Sequence, residues 1–425
     1  MQVLRLTLLL AASAFAAAQS PPQLWQTQES GTTAGLRGID SVDSTVVWAS
    51  GTGGTVLKTI DGGAHWTACA VPDAATDGAT LDFRGVQAWD ATTAIVMASG
   101  PGEKSRLYKT TDGCKTWALL LKNTDPEGFY DALKFWDRRH GLLLGDPVRS
   151  MPFARDNPAF MDSYKKLWVE KLKSARFLTL ETRDGGFRWE HWPIRNADLI
   201  DPGKAGSSAF AASNSSIVIP PQVDPSTTRE DPDTSTSGWI GIGGKGGARV
   251  LEGFNVLPDV GEPGAEAYGF AWAWTTPVPL AGGNENSGVF SLAYRNSHLP
   301  MTEVLYRGGG GAYLTNWQLT AVGGDYTKPD ERTGTAAWSD DSGRHWTASA
   351  TPPHGFRSAV QWSEALKAWI TVGTNGSDLS RDDGKTWQPL DDGNWNALSL
   401  PFVVGPNGRI ARINPAALPS GKTAP

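Results

Sequence analysis

The residues best suited to chemistry fall at one position of a recurring segment. Its pattern is an apolar residue, a variable residue, a small residue and an apolar residue. The copies are Leu36-Arg37-Gly38-Ile39, Phe83-Arg84-Gly85-Val86, Tyr130-Asp131-Ala132-Leu133, Ser207-Ser208-Ala209-Phe210, Val289-Phe290-Ser291-Leu292, Phe356-Arg357-Ser358-Ala359 and Trp395-Asn396-Ala397-Leu398. The fourth matches least well. The variable residues are therefore Arg37, Arg84, Asp131, Ser208, Phe290, Arg357 and Asn396. Guanidinium forks bind carboxylates or phosphates bidentately. In a closed ring of such units, the last lies beside the first. Arg357, Asn396, Arg37 and Arg84 then form a crescent near one mouth of a central channel, with Asp131 beyond it. That crescent would bind an anion, either a sugar acid or an acidic peptide terminus. The competing expectation is that each arginine pairs with a local carboxylate such as Asp40, Asp82 or Asp90.

Other chemistries find less support. His65, His140, His191, His298, His345 and His354 show neither a His-x-His nor a His-Glu-x-x-His spacing, so no metal site is expected. The glycine-rich stretches at 243–247 and 308–311 lack the strand–loop–helix order that phosphate or dinucleotide binding requires, so no cofactor is expected. No Ser–His–Asp arrangement can be picked out, and no catalytic residue is assigned.

The elements that must position the variable residues are marked by a second repeat, Ser/Thr-x-Asp-x-Gly-x-x-Trp. It runs from Thr59 through Asp61 to Trp66, from Thr110 through Asp112 to Trp117, and from Thr182 through Asp184 to Trp189. Two more copies run from Ser339 through Asp341 to Trp346 and from Ser380 through Asp382 to Trp387. Hydroxyl and carboxylate can accept backbone N–H groups inside a tight hairpin, and glycine supplies positive φ. The tryptophan closes the turn as an apolar plug. These aspartates are read as turn formers rather than catalytic carboxylates. Cys114 replaces glycine in the second copy. Octet spacing at the two ends of the chain matches repeats of roughly 40–50 residues, the length of a four-stranded propeller blade. The long gap between Trp189 and Trp346 leaves room for a unit without an octet, plus insertions. Leu24 to Thr27 resembles the strand that follows an octet, so the two termini are expected to share the last unit.

The expected fold is an all-β, seven-bladed β-propeller of four-stranded blades with one inserted helix. A single domain spans residues 19–413, with insertions at about 147–176 and 219–285 and a loose tail over 414–425. The helix starts at Asn157-Pro158 and carries Phe160, Tyr164, Leu167 and Leu172. Residues 219–236 read as a loop. Met1–Ala18 reads as a cleaved signal peptide, with Arg5, an apolar run and a small-x-small site before Gln19. The chain is therefore expected in the periplasm or secreted, without a transmembrane segment. Hydrophobic residues make up 40%, charged residues 19%, and the formal net charge is −6. An acidic balance argues against nucleic acid. The only two cysteines, Cys69 and Cys114, can form one disulfide in an oxidising compartment or remain thiols.

The octets resemble the Asp-box, or BNR repeat, of sialidases and of many propellers without that activity. With Gly288 to Arg295 and Ala321 to Asp325, the arrangement resembles the photosystem II stability/assembly factor family and its relatives in non-photosynthetic bacteria. The resemblance covers most of residues 24–413. It implies a monomeric, cofactor-free scaffold that binds a protein partner. The alternative it implies is a sialidase-like glycoside hydrolase or sugar-acid binder. Against that stands the missing Phe/Tyr-Arg-Ile-Pro motif, and no Tyr–Glu pair is legible among Tyr130, Tyr268 and Tyr294.

Overall fold

The computed structural model describes residues 23–148, 176–189, 206–220, 237–256, 269–297, 302–305, 311–314 and 316–419. These residues are almost entirely strands and turns. Helical structure among them is confined to short 3-10 turns at Gly78–Thr80, Gly102–Lys104 and Pro415–Ala417. The helix expected within 157–172, the signal segment, and nearly all of the 219–236 loop lie outside the described residues.

Each unit is an antiparallel sheet whose strands follow in sequence. The first contains Leu36–Ser41, Val47–Gly51, Val56–Thr59 and Thr67–Ala68. The second contains Phe83–Ala88, Ala94–Ala98, Arg106–Thr110 and Ala118–Lys122. Tyr130–Phe135, Gly141–Val148 and Arg176–Thr182 follow. Near the end come Ala359–Ser363, Ala368–Gly373, Gly376–Ser380 and Gln388–Asp391. The final sheet orders Ala397–Ser399, Phe402–Val404 and Ile410–Ile413 beside Trp25–Gln28, so the first and last strands pair. Second strands such as Ala94–Ala98 and Ala368–Gly373 are buried at every residue. They are sandwiched by neighbouring sheets on both faces, which is why they read as unbroken apolar runs rather than alternating ones.

Within the segment expected to hold an insertion, 219–285, three strands belong to the unit without an octet for which the gap leaves room. Gly238–Gly244, Arg249–Val256 and Gly269–Pro277 pair in order, and Ser207–Ser208 and Ile217–Val218 lie on the free edge of Gly238–Gly244. This unit carries no octet, so repeat spacing could not mark it. Its strand pairing meets the next sheet (Ser287–Asn296, Trp317–Asp325, Ala336–Ser339, Thr347–Ala348) at the single pair Gly243 and Gly288. A Cβ on Gly243 would lie 2.5 Å from the Gly288 Cα, so the close approach requires glycine.

Hydrogen bonds tie each innermost strand to the next. The Ala88 N–H donates to Asp40 Oδ2, and the Phe135 N–H to Gln87 Oε1. The Leu133 N–H donates to Asn214 Oδ1, the Leu292 N–H to the Ser215 carbonyl, and the Val360 N–H to Ser291 Oγ. The Leu400 N–H donates to Gln361 Oε1, and the Ser41 N–H to Ser399 Oγ, which returns the series to the first sheet. The core lies between sheets. Leu36, Val47 and Leu57 of the first sheet pack with Phe402, Val404 and Ile410 of the last, sealing a β-propeller.

The octets join the sheets. In each, the leading hydroxyl donates to the aspartate and accepts the fifth residue's N–H, as in Ser380 to Asp382 (2.8 Å) and Gly384 to Ser380 (2.9 Å). The fifth residue faces the preceding sheet. A Cβ on Gly63 would clash with Gln28, and one on Gly186 would meet Leu120. Cys114 occupies that slot at φ 65° and is bonded to Cys69 of the preceding unit, with Cα atoms 5.3 Å apart. A covalent link thus stands where the other octets make a glycine contact.

Residues 209–216 leave the sheet edge between Ser207–Ser208 and Ile217–Val218 and enter the centre of the ring. Asn214 accepts from Leu133, and Ser213 Oγ donates to the Ser358 carbonyl at 3.0 Å. Ser215 Oγ shares a bond with Ser291 Oγ at 2.7 Å. One excursion therefore touches sheets on both sides of its own. Two stability outcomes follow. Replacing both cysteines with serine should remove about 3–4 kcal/mol in a urea titration, from a 45-residue loop closure. Asp382→Ala, which strips the acceptor of the Thr386 and Ser380 bonds, should remove about 1–2 kcal/mol.

Candidate functional site

The variable residues are placed by backbone irregularities. In the first pairing of four units the register slips at that residue: between Leu36 and Gly38, Phe83 and Gly85, Tyr130 and Ala132, and Val289 and Ser291. Arg37, Arg84, Asp131 and Phe290 are therefore bulged residues. A bulge breaks the alternation of a strand and re-aims its side chain. The small residue that follows has its own cause. A Cβ on Gly38 would come within 3.2 Å of the Arg84 carbonyl oxygen, and one on Gly85 within 3.1 Å of Asn214.

Arg37 and Arg84 converge on one carboxylate. Arg84 Nε donates to Asp82 Oδ2 at 2.8 Å, and Arg37 Nε lies 3.3 Å from Asp82 Oδ1. The side chains are 29% and 37% exposed, so both arginines are partly open to solvent, although Arg37 Nε itself is buried. Two cations share one anion, which leaves an excess positive charge. Of the other nearby carboxylates, Asp40 accepts from the Ala88 N–H. Asp90 caps Thr92 and Thr93 and pairs with Arg138.

Arg84 also lies over the Phe129 ring, 5.8 Å from its centroid. Next to Phe129 sit two carboxyls. Asp131 is 2% exposed, and its Oδ2 has no hydrogen-bond partner. Asp146 donates its N–H to the Phe129 carbonyl at 3.0 Å and accepts from the Ala209 N–H at 3.2 Å. Burial pushes Asp131 well above the usual carboxylate range, reinforced by the Asp146 charge and opposed by Arg84. Burial likewise raises Asp146 to about 6, against the Ala209 N–H. Asp146 was not legible as a site residue, because it sits in the second strand beyond any repeat.

The remaining variable positions are elsewhere. Arg357 is fully buried and does not join an exposed crescent. Its Nε donates to Asp378 Oδ2 at 2.7 Å and its Nη1 to Asn375 Oδ1 at 2.6 Å. Asp378 is itself 0% exposed, and an interior carboxylate needs such a partner. His354 completes this network through Asp378 Oδ1 at 2.8 Å, and that hydrogen bond raises its pKa. Asn396 donates to the Leu36 carbonyl, joining last sheet to first. Ser208 is half-buried and pairs with Gly243 along the sheet edge. Phe290 is buried in an aromatic group, stacked on Phe210 at 3.9 Å and meeting Phe356 edge-on at 4.8 Å.

The octet aspartates Asp61, Asp112, Asp184, Asp341 and Asp382 all accept bonds from within their own turns. The His65 N–H chiefly holds Asp61 below the usual range, and the Thr116 hydroxyl does so for Asp112. Their tryptophans pack against the preceding unit. Trp66 donates to Gln28 Oε1 and Trp117 to the Ala70 carbonyl, while Trp387 donates to Ser349 Oγ. Trp189 packs in the cluster that holds Ile95 and Met97 of the preceding unit, and edge-on to Phe135 of its own, while Trp346 lies against the cluster around Trp239. Among the described residues, no group of three or more His, Cys, Asp or Glu could hold a metal ion. No described helix is long and apolar enough to cross a membrane.

No protein-family model and no curated protein matches the chain. Among solved structures it is similar to YCF48 bound to D1 peptide, with 16% identity, 94% of this chain and 99% of that one covered, and a TM-score of 0.49. YCF48 from Cyanidioschyzon merolae gives 17% identity, 92% and 99% coverage, and a TM-score of 0.49. The GH74 enzyme of Niastella koreensis gives 16% identity, 89% and 56% coverage, and a TM-score of 0.31. The reading of the site rests on this chain's own residues.

The raised pKa of Asp146 has a defined sign. A carboxyl that binds its proton more tightly when folded supports the fold fully below the unfolded pKa of 3.8, and that support is lost as pH rises through about 6. Asp146→Asn should therefore gain stability over the native protein between pH 4 and pH 7, on the order of 2 kcal/mol, and match it below pH 4. Denaturant titrations at several pH values check this.

Proposed function

We propose that this chain is an exported, monomeric Asp-box propeller of seven four-stranded blades that serves as a non-catalytic scaffold. It holds a protein partner by a carboxylate at one mouth of the ring. The observation that carries this reading is the Arg37–Asp82–Arg84 cluster, in which two partly exposed arginine side chains share a single carboxylate. An incoming carboxylate would take up the unbalanced charge with bidentate geometry. The blade count is supported by the repeated innermost segments and by the bonds that return from Ser399 to Ser41. The single domain over 19–413, the export signal in residues 1–18 and a periplasmic or secreted location belong to the same reading. A peptide is also what one YCF48 structure holds. Neither cofactor nor metal ion enters the proposal.

A second reading, a sialidase-like hydrolase or sugar-acid binder, is favoured by one observation. The Asp131 and Asp146 carboxyls lie beside Arg84, and paired carboxyls are the equipment of glycosidases.

The test is a fluorescence titration of the mature protein with a labelled pentapeptide ending in a free carboxylate, alongside its amidated form. Binding should be at least ten-fold weaker for the amide and for Arg84→Ala. A parallel panel of fluorogenic glycosides, including a sialoside, should show no turnover. Turnover that disappears in Arg84→Ala would replace the scaffold reading with the hydrolase.

A further inference from the structure

The neighbourhood of the arginine cluster contains a feature that simple anion binding does not need. Asp131 and Asp146 are carried by adjacent strands of one sheet and meet beside Phe129, the ring that Arg84 covers. Asp131 Oδ2 is shut off from solvent and has no donor. Burial makes an ionised carboxylate costly even where a backbone N–H and a nearby arginine act on it, and two buried carboxyls side by side cannot both ionise easily. A structural role would be filled as well by an amide or an apolar residue.

We infer that the Asp131–Asp146 pair is the proton-controlled counter-charge of the arginine mouth, so that an anionic ligand is held in mildly acidic solution and released toward neutral pH. The inference rests on the mouth being the anion site proposed above. With the pair protonated, Arg37 and Arg84 are offset only by Asp82, and one guanidinium charge is open to a ligand. When the pair loses a proton, its new carboxylate charge adds to that of Asp82 beside Arg84, which already acts on Asp131. The mouth is then electrically balanced, and a second anion is repelled.

The groups around the pair are consistent with this assignment. From the sheet of Phe83–Ala88 comes Arg84, with Asp82 and Arg37 beyond it. From the neighbouring unit come the Ala209 N–H on Asp146 and Ser207, whose hydroxyl accepts from Arg249 at 2.7 Å. From their own sheet comes Tyr130, whose phenol burial keeps neutral throughout. Arg84 is the only described cation among the causes acting on Asp131. Asp131 therefore feels both the Asp146 charge and the arginine that would hold the ligand.

Two measurements test the inference. Carbon-13 NMR of the aspartate carboxyls, without ligand, should show Asp131 and Asp146 titrating together above pH 5, as a coupled pair. The labelled pentapeptide, whose terminal carboxylate stays ionised throughout, should bind roughly ten-fold more tightly at pH 5.5 than at pH 7.5. In Asp146→Asn that difference should shrink to less than two-fold. If both carboxyls titrate below pH 4.5, or if the native pH dependence survives unchanged in Asp146→Asn, the switch is wrong. Peptide binding that is tight but independent of pH would overturn the switch and leave the anion site standing. Absence of binding at every pH would overturn both.

Discussion

The fold depends on how close one sheet's turn can come to the sheet before it. Each octet turn folds its own hydroxyl and aspartate inward, so its polar groups are satisfied locally. The turn is then free to press its backbone against a neighbour. The fifth residue makes that contact, and it is glycine wherever the contact is with packed side chains. The tryptophan that ends the octet fills the space beside it. In the first two units a lysine supports the approach from the neighbour's side. Lys58 Nζ donates to the Gly113 carbonyl, and Lys109 Nζ to that of Gly185. The inter-sheet cores follow from this spacing.

The innermost strands use a different device. In four units a bulge takes one residue of the innermost strand out of its alternation, and the next residue is small because the adjacent strand is near. What the residue at the variable position does depends on its surroundings. Arg37 and Arg84 find one shared carboxylate and remain open to solvent. Arg357 finds a buried carboxylate and is withdrawn. The same residue type at the same repeat position thus has two fates, decided by where the nearest aspartate lies.

That contrast explains how much could be read in advance. The octets were legible because their chemistry is local: four residues satisfy one another, and the pattern survives any neighbour. The innermost repeats were legible because the bulge and the small residue recur. Asp378 was not legible as the partner of Arg357, since it lies on another strand and no spacing rule links them. The unit spanning 238–277 was hidden for a related reason. Without an octet its strands had nothing to mark their ends, and it resembled an insertion. Its innermost strand, interrupted by residues 209–216, matched the repeat poorly because that stretch is committed to the centre of the ring. Asp146 escaped notice because burial, rather than sequence pattern, makes it unusual.

The strand formed by Trp25–Gln28 pairs along its whole length with Ile410–Ile413. About 390 residues separate these partners, which places the pairing among the least local contacts of the described residues and hence among the slow ones to form. Every earlier sheet can assemble from residues already emerged from the ribosome, but the seam must wait. Until it closes, Leu36 and Val47 on one side and Phe402 and Ile410 on the other present apolar surface with nothing against it. The ring therefore has a vulnerable period set by synthesis time, during which its last interface is a target for chaperones, proteases and other unfinished copies of itself.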